Sequence, residues 1–430
     1  FIYVSILFSR YRYDEAKVGI FIHWGVFSVP SYISEWFWWY WQGANQPDAV
    51  AFMKANYPPD WTYANFGKDF TAEFFNATQW TDLFVASGAR YIVLTTKHHE
   101  GFTLWPSNTS FNWNSVDVGP GKDLVSELEQ ALRSKSSLRF GVYHSLFEWF
   151  NRQWISDKEN GFSTKMYAVQ KAIPELYDLV NRYRPDIIWS DGDAEAPDTY
   201  WNSTGFLAWL YNDSPVKTTV VVNDRWGIGT SCKHGDFYNC ADRYNPHHII
   251  PHKWENAFTL DKLSWGYRRT MTAEDVMTIQ ELLGTIVSTV ATNGNALINI
   301  GPRKDGIIPA IFQERLLQMG SWLKVNGEAI YGTRPWSSVN DTLTPSVWYT
   351  KNDKKHALYM HIMEWPENDT LIVSDVNATV PIDKIEMLGS RKGPIGFAIN
   401  ATCTVIRLSS PSSEDLAKWL WVLKLYLGSR

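Results

Sequence analysis

Between about Tyr13 and Trp336 the chain alternates two hydrophobic patterns. Apolar, β-rich runs at 18–24, 91–100, 139–145, 186–193, 219–226 and 295–302 end abruptly in polar or aromatic clusters. Stretches at 79–87, 122–135, 166–183, 272–291 and 309–326 instead repeat apolar residues at helical spacing, as Leu124, Leu128 and Leu132 do on one face. Alternation of buried strand, loop and amphipathic helix is the signature of βα units around one core. An α/β fold is therefore predicted, a (β/α)8-like barrel. Strands between 227 and 264 do not stand out, so an irregular barrel is expected. Past Trp336 the texture changes. Short alternating runs at 347–350, 356–363, 370–374, 384–388 and 404–408, separated by Asn, Asp, Pro and Gly, predict a C-terminal antiparallel β-sandwich. The expected domains are 11–336, catalytic, and 337–430, supporting.

In a parallel barrel the functional side chains sit where strands end. Here the runs end in Phe21-Ile22-His23-Trp24, Lys97-His98-His99-Glu100, Tyr143-His144-Ser145, Trp189-Ser190-Asp191-Gly192 and Asn223-Asp224-Arg225-Trp226, and Ser34-Glu35-Trp36 follows the first. Any one histidine reads more readily as a core residue, and Asp191 alone reads equally well as a helix cap. Five consecutive ends of this kind make a polar ring with aromatic walls, which suits a neutral, hydroxyl-rich ligand. His23, His98, His99 and Glu35 also raise a zinc reading. Against it, HExxH and HxH spacings are absent, and neighbours such as His98 and His99 on a strand would face opposite sides.

Glycoside hydrolysis needs two carboxyl groups facing the scissile bond. Asp191 follows its strand directly, beside Trp189 and a glycine that admits substrate, and is better placed than Asp193. Arg225, one strand on, would hold a carboxylate ionised or bind a hydroxyl. The partner acid comes from a later loop: Asp242 in C-A-D-R-Y or Glu255 in P-H-K-W-E-N. Burial decides an acid's pKa, so the residues leave both open.

Composition narrows the class further. A net charge of −5 without a basic block excludes a nucleic-acid footprint. The 23 Trp, 21 Tyr and 22 Phe are mostly core, with stacking on sugar faces the other use of indole. No run of 18 apolar residues exists, so no membrane helix is expected. Eight N-x-S/T sequons, at Asn76, Asn108, Asn202, Asn212, Asn340, Asn368, Asn377 and Asn400, point to glycosylation in the secretory pathway. Of three cysteines, Cys232 and Cys240 are near enough to close a small disulfide loop, leaving Cys403 unpaired; two reduced thiols are the alternative. Phe1 to Phe8 is apolar like the remnant of a signal peptide.

F-I-H-W-G-V-F-S-V-P, S-E-W-F-W-W-Y-W, T-T-K-H-H-E-G-F, W-S-D-G, V-N-D-R-W-G, H-K-W-E and N-I-G-P-x-x-D-G occur in this order. In these the chain resembles the retaining α-L-fucosidases, most of all the secreted animal enzymes, from about Asp14 onward. The resemblance implies a barrel followed by a β-sandwich, cofactor-free release of terminal α-L-fucose from glycoconjugates, a secreted or lysosomal destination, and a homo-oligomer such as a tetramer. It implies Asp191 as nucleophile, and His23, Glu35, Trp36, His98, His99, Tyr143, Trp189 and Arg225 as fucose-binding positions. Asp242 is preferred as acid/base, with Glu255 the alternative. One departure is visible: the family's P-x-x-L-x-x-x-K-W-E-x-C reads here from Pro246 with Ile249 and Ala257 in place of Leu and Cys.

Two readings from other classes stand beside this one. A catalytically inactive, lectin-like fucose-binding protein on the same scaffold would be favoured by loss of a carboxylate, yet Asp191 and both candidate partners are present. A metal hydrolase built on the histidines would lose activity to a strong chelator.

Overall fold

The computed structural model describes residues 12–411, 416 and 418–428, so Phe1 to Phe8 lie outside the described residues. Seven parallel strands curl into a barrel in the order β5-β4-β3-β2-β1-β7-β6. They are β1 Val18–Ile22, β2 Tyr91–Lys97, β3 Arg139–Ser145, β4 Ile187–Asp191, β5 Val221–Val222, β6 Trp254–Thr259 and β7 Gly294–Ile300. Nearly every strand residue is buried. Both faces of a parallel sheet are covered, and this is why the runs read as continuously apolar.

The irregular place is where the sequence was mute. Between β5 and β6 the wall is carried by the segment 236–239. Asp236 N donates to Val222 O (2.9 Å), Tyr238 N to Lys253 O (3.0 Å) and Glu255 N to Tyr238 O (2.8 Å). Inside, Phe21, Tyr91, Tyr143, Trp189, Phe237 and Leu297 fill the barrel as a packed core.

Several helices begin where a side chain satisfies an orphan N–H. Asp123 accepts from Ser126 N to start Leu124–Lys135, and Asn76 accepts from Gln79 N to start Ala77–Ala86. The continuous helix expected over 272–291 is instead a short 3₁₀ turn, Ala273–Asp275, followed by Ile279–Ala291. Thr278 is the reason: it is extended and forms a reciprocal capping box with Glu281. The stretch 166–183 likewise contains a π-turn, Ala168–Ala172, before Ile173–Tyr183. Pro174 has no N–H to give to the preceding turn.

The C-terminal part is two antiparallel sheets around a second core that includes Val347, Leu358, Met360 and Leu423. One has the order β12-β15-β10-β9-β8, the other β11-β14-β13. Strands β9 Val347–Asn352, β10 Ala357–Ile362, β11 Thr370–Val373, β12 Ile382–Met387 and β14 Thr404–Arg407 coincide with the short runs of the sequence. Strands β8 Arg334–Asn340, β13 Phe397–Ile399 and β15 Trp421–Leu427 do not. Because β8 already pairs with β9, this sheet starts just ahead of Trp336. Trp322 Nε1, donating to Leu420 O at 3.0 Å, and Thr350 Oγ1, donating to Ala329 O at 2.7 Å, tie the two parts together.

Burial also sets a pH response. His361 on β10 is fully enclosed, and burial lowers its pKa to about 3, below the ordinary 6.5. His144 on β3 is lowered to about 4 by burial and then by the Lys97 ammonium. Such groups are neutral when folded and protonate when unfolded, so the unfolded state binds more protons below pH 6.5. Their contribution is complete above pH 6.5 and is lost as pH falls toward the folded values, by up to about 1.4 kcal/mol per pH unit for each group. Melting temperatures should therefore fall between pH 6.5 and 4.5, and less steeply in His361→Gln. Equal slopes in the two proteins would contradict this.

Candidate active site

At the carboxyl ends of the strands a cleft of about 260 Å³ is lined by His23, Glu35, Trp36, His98, His99, Tyr143, Trp189, Asp191, Arg225 and Asp242. Phe21, Phe147, Gly192, Asp193, Ala194, Glu195 and Trp265 complete it. A larger cavity of about 480 Å³ opens at the opposite mouth, by Tyr91, Arg139 and Asp186, where strands begin and barrels carry stability rather than chemistry.

Asp191 ends β4 with its carboxylate held from two sides. Arg225 Nη1 donates to Oδ1 at 2.9 Å and Tyr143 Oη to Oδ2 at 2.7 Å, while His99 Nε2 lies 3.7 Å from Oδ2. Burial alone would raise the pKa. The Arg225 guanidinium and the hydrogen bonds from Tyr143 and Arg225 outweigh it and hold Asp191 well below the usual carboxylate range. Tyr143 moves oppositely: burial first, then the Asp191 charge, push its phenol well above 10, so it stays a donor.

Arg225 is set by a side-chain substitute for strand pairing. The β4–β5 ladder runs out at Ile188 and Val222. Beyond it Asn223 Oδ1 accepts from Ser190 N and Oγ (3.0 Å each), and Asn223 Nδ2 donates to Ser190 O at 2.8 Å. The guanidinium lies 4.7 Å over the Trp189 ring, and its Nη2 reaches Asp242 Oδ1 at 2.6 Å. One planar fork thus joins two carboxylates. Gly192 is required beside them: its φ is 86°, and a Cβ would come within 2.4 Å of the Phe147 ring.

His23 and His99 are tautomer-defined acceptors. Ser145 Oγ donates to Phe147 O (2.6 Å), so it must accept from Nδ1–H of His99 (2.7 Å), leaving Nε2 as a lone pair. Asn299 Nδ2 donates to Trp265 O (2.7 Å), so its Oδ1 accepts from His23 Nδ1 (2.6 Å), and His23 Nε2 is likewise left as an acceptor. Burial lowers His23 to about 3 and His99 well below 6.5, which keeps both neutral. Glu35 Oε2 is fixed by Ser264 Oγ, Trp265 N and Gly266 N, each at 3.0 Å.

One sequence expectation changes here. β2 stops at Lys97, so His98 and His99 sit on the following turn and both line the cleft, their rings 4.2 Å apart. Strand alternation does not apply to them. Among the described residues no group of three or more His, Cys, Asp and Glu could hold a metal ion.

Asp242 and Glu255 have different surroundings. Asp242 is half-exposed at the cleft. Glu255 is on β6, fully buried inside the barrel beneath Trp189. It accepts from Tyr13 Oη, from Tyr91 Oη (2.7 Å), from Trp189 Nε1 (2.9 Å) and from Asn239 Nδ2 (3.3 Å). Burial raises its pKa against these four hydrogen bonds.

Sequence reasoning missed Trp265, whose ring lies 5.1 Å from His23 and forms a wall of the cleft. Its only signal is an indole before a glycine in S-W-G, in a loop with no strand pattern. Cys232 and Cys240 are bonded to each other, and Cys403 is free. Asn76, Asn108, Asn202, Asn212, Asn368 and Asn400 are exposed; Asn340 and Asn377 are half-buried.

Residues 9–328 match the alpha-L-fucosidase family, and residues 339–426 match the alpha-L-fucosidase C-terminal domain. Plasma alpha-L-fucosidase of Homo sapiens is 55% identical over 414 residues, covering 96% of this chain and 89% of that protein. Tissue alpha-L-fucosidase of Homo sapiens is 58% identical over 415 residues, with 96% and 88% covered. The crystal structure of Thermotoga maritima alpha-fucosidase in complex with fucose superposes with a TM-score of 0.80 at 30% identity, over 96% of each chain. With both parts of the chain matched in order, the protein belongs to the alpha-L-fucosidase family.

Proposed function

We propose that the protein is an exo-acting, retaining α-L-fucosidase that removes terminal α-L-fucose from glycoproteins, glycolipids or oligosaccharides by double displacement. The observation that carries this reading is Arg225 joining Asp191 and Asp242 at the mouth of a small cleft. Its volume, about 260 Å³, is below the roughly 300–1,000 Å³ of drug-sized sites, which suits one sugar ring at a chain end.

Asp191 attacks the anomeric carbon as a carboxylate, already ionised and aimed by Tyr143 and Arg225. The leaving oxygen departs with a proton from Asp242, which swings from Arg225 to reach it. The same carboxylate then draws a proton from water as water opens the β-fucosyl–enzyme ester, restoring the α configuration. Retaining enzymes hold such a pair about 5–5.5 Å apart, and a shared guanidinium keeps these two groups close. Neutral His23 and His99 accept hydrogen bonds from ring hydroxyls, and Trp36, Trp189 and Trp265 face the apolar side of the sugar. Glu255 is a floor: by holding Trp189 it fixes the ring that stacks on Tyr143, 5.6 Å away. A non-catalytic fucose-binding role has no structural observation in its favour. Plasma and tissue relatives, together with the sequons, support passage through the secretory pathway to a secreted or lysosomal destination. Self-association as a homo-oligomer is part of this reading.

Three variants test the roles. Asp191→Ala should lose about 10⁴-fold or more in kcat on an aryl α-L-fucoside and, with azide, yield the inverted β-fucosyl azide. Asp242→Ala with azide should instead give the retained α-fucosyl azide; the opposite anomers would reverse the assignment. Glu255→Gln should lower kcat without azide rescue. Production of α-fucosyl azide by that variant would make Glu255 the acid/base.

A further inference from the structure

The residue beside Arg225 has no part in the chemistry described so far. Asp224 is fully buried, yet its carboxylate points into a loop rather than into the cleft. Oδ2 accepts from Cys232 N (2.6 Å) and Cys240 N (3.4 Å), and Oδ1 accepts from Asn239 N (3.0 Å). These backbone groups flank the Cys232–Cys240 disulfide, and the loop they close leads two residues on to Asp242.

That loop has an unfavourable backbone. Cys232, Cys240 and Arg243 have φ values of 60°, 56° and 54°, a region that side-chain-bearing residues rarely adopt. No regular ladder spans Cys240 to Lys253, so the conformation depends on its ties. Downstream, Arg243 N donates to Ala257 O (2.9 Å). Upstream, the ties are the disulfide, the three N–H groups on Asp224, and Asn239 Nδ2 on Glu255. The two oxygens of one carboxyl side chain take three backbone N–H donors at once here.

We infer that Asp224 and the Cys232–Cys240 disulfide form a clamp that positions Asp242 for proton transfer to the leaving group. Consecutive residues at the end of β5 then hold the acid/base from two directions. Asp224 grips the backbone of its loop, and Arg225 grips its carboxylate. The clamp reaches Asp242 but makes no contact with Asp191, so it bears on one half of the reaction. This inference rests on the reading of Asp242 as acid/base.

Leaving-group dependence tests it, because a poor leaving group needs acid assistance worth about 10²–10⁴-fold and a dinitrophenolate does not. Asp224→Asn keeps the shape and one acceptor, and Cys232→Ser/Cys240→Ser removes the covalent tie. kcat/KM is measured for each, and for Asp242→Ala, on a fucosylated oligosaccharide and on 2,4-dinitrophenyl α-L-fucoside. The clamp predicts that both variants lose at least about tenfold more on the oligosaccharide than on the activated fucoside. Azide should also raise their turnover of the activated fucoside and give α-fucosyl azide, as for Asp242→Ala. Equal losses on the two substrates without azide rescue, while Asp242→Ala shows both signatures, overturn the clamp and leave the acid/base reading intact. If Asp242→Ala itself shows neither, both fall.

Discussion

One guanidinium organises this site. Arg225 carries a single positive charge between two carboxylates and lies flat on the Trp189 ring. Only arginine offers a planar fork that can donate in two directions and stack at the same time. Almost everything around it serves its placement. Asn223 replaces the missing strand pairing, Glu255 pins the indole beneath it, and Asp224 secures the loop that brings Asp242 to its far side.

The electrostatics separate the two acids by environment. Asp191 is enclosed, paired and hydrogen-bonded, so it is ionised before substrate arrives. Asp242 stands half-exposed on a loop with a single ion pair, free to change partner. Around them, burial strips charge from His23 and His99, so these two imidazoles of the cleft are neutral and do not compete for Asp191. Two acids with different freedom and a neutral recognition wall are what double displacement on an uncharged sugar requires.

Much of this was legible in the sequence, and the illegible parts share a cause. Strands β1 to β4 and β7 show as apolar runs because both of their faces are buried, and the polar residues that follow them mark the cleft. β6 was hidden because its inward residues include Glu255, a carboxylate inside the barrel that breaks the apolar pattern. The segment 236–239 that completes the wall has no strand periodicity, since it is held by a few bonds to its neighbours. The depth of Glu255 was also illegible, because sequence shows a carboxylate and not its surroundings; its tyrosine and indole partners come from positions 13, 91 and 189. Trp265 escaped for the same reason, being placed by Glu35 and Asn299 rather than by any local pattern.

Asp191, ionised and gripped by Arg225, is proposed to become covalently fucosylated. Incubation with 2-deoxy-2-fluoro-α-L-fucosyl fluoride, followed by proteolysis and mass spectrometry of the labelled peptide, reads this directly. One stoichiometric adduct, located on Asp191, is the expected outcome. An adduct on Asp193, Asp242 or Glu255, or turnover without any covalent species together with release of β-L-fucose as first product, would contradict it.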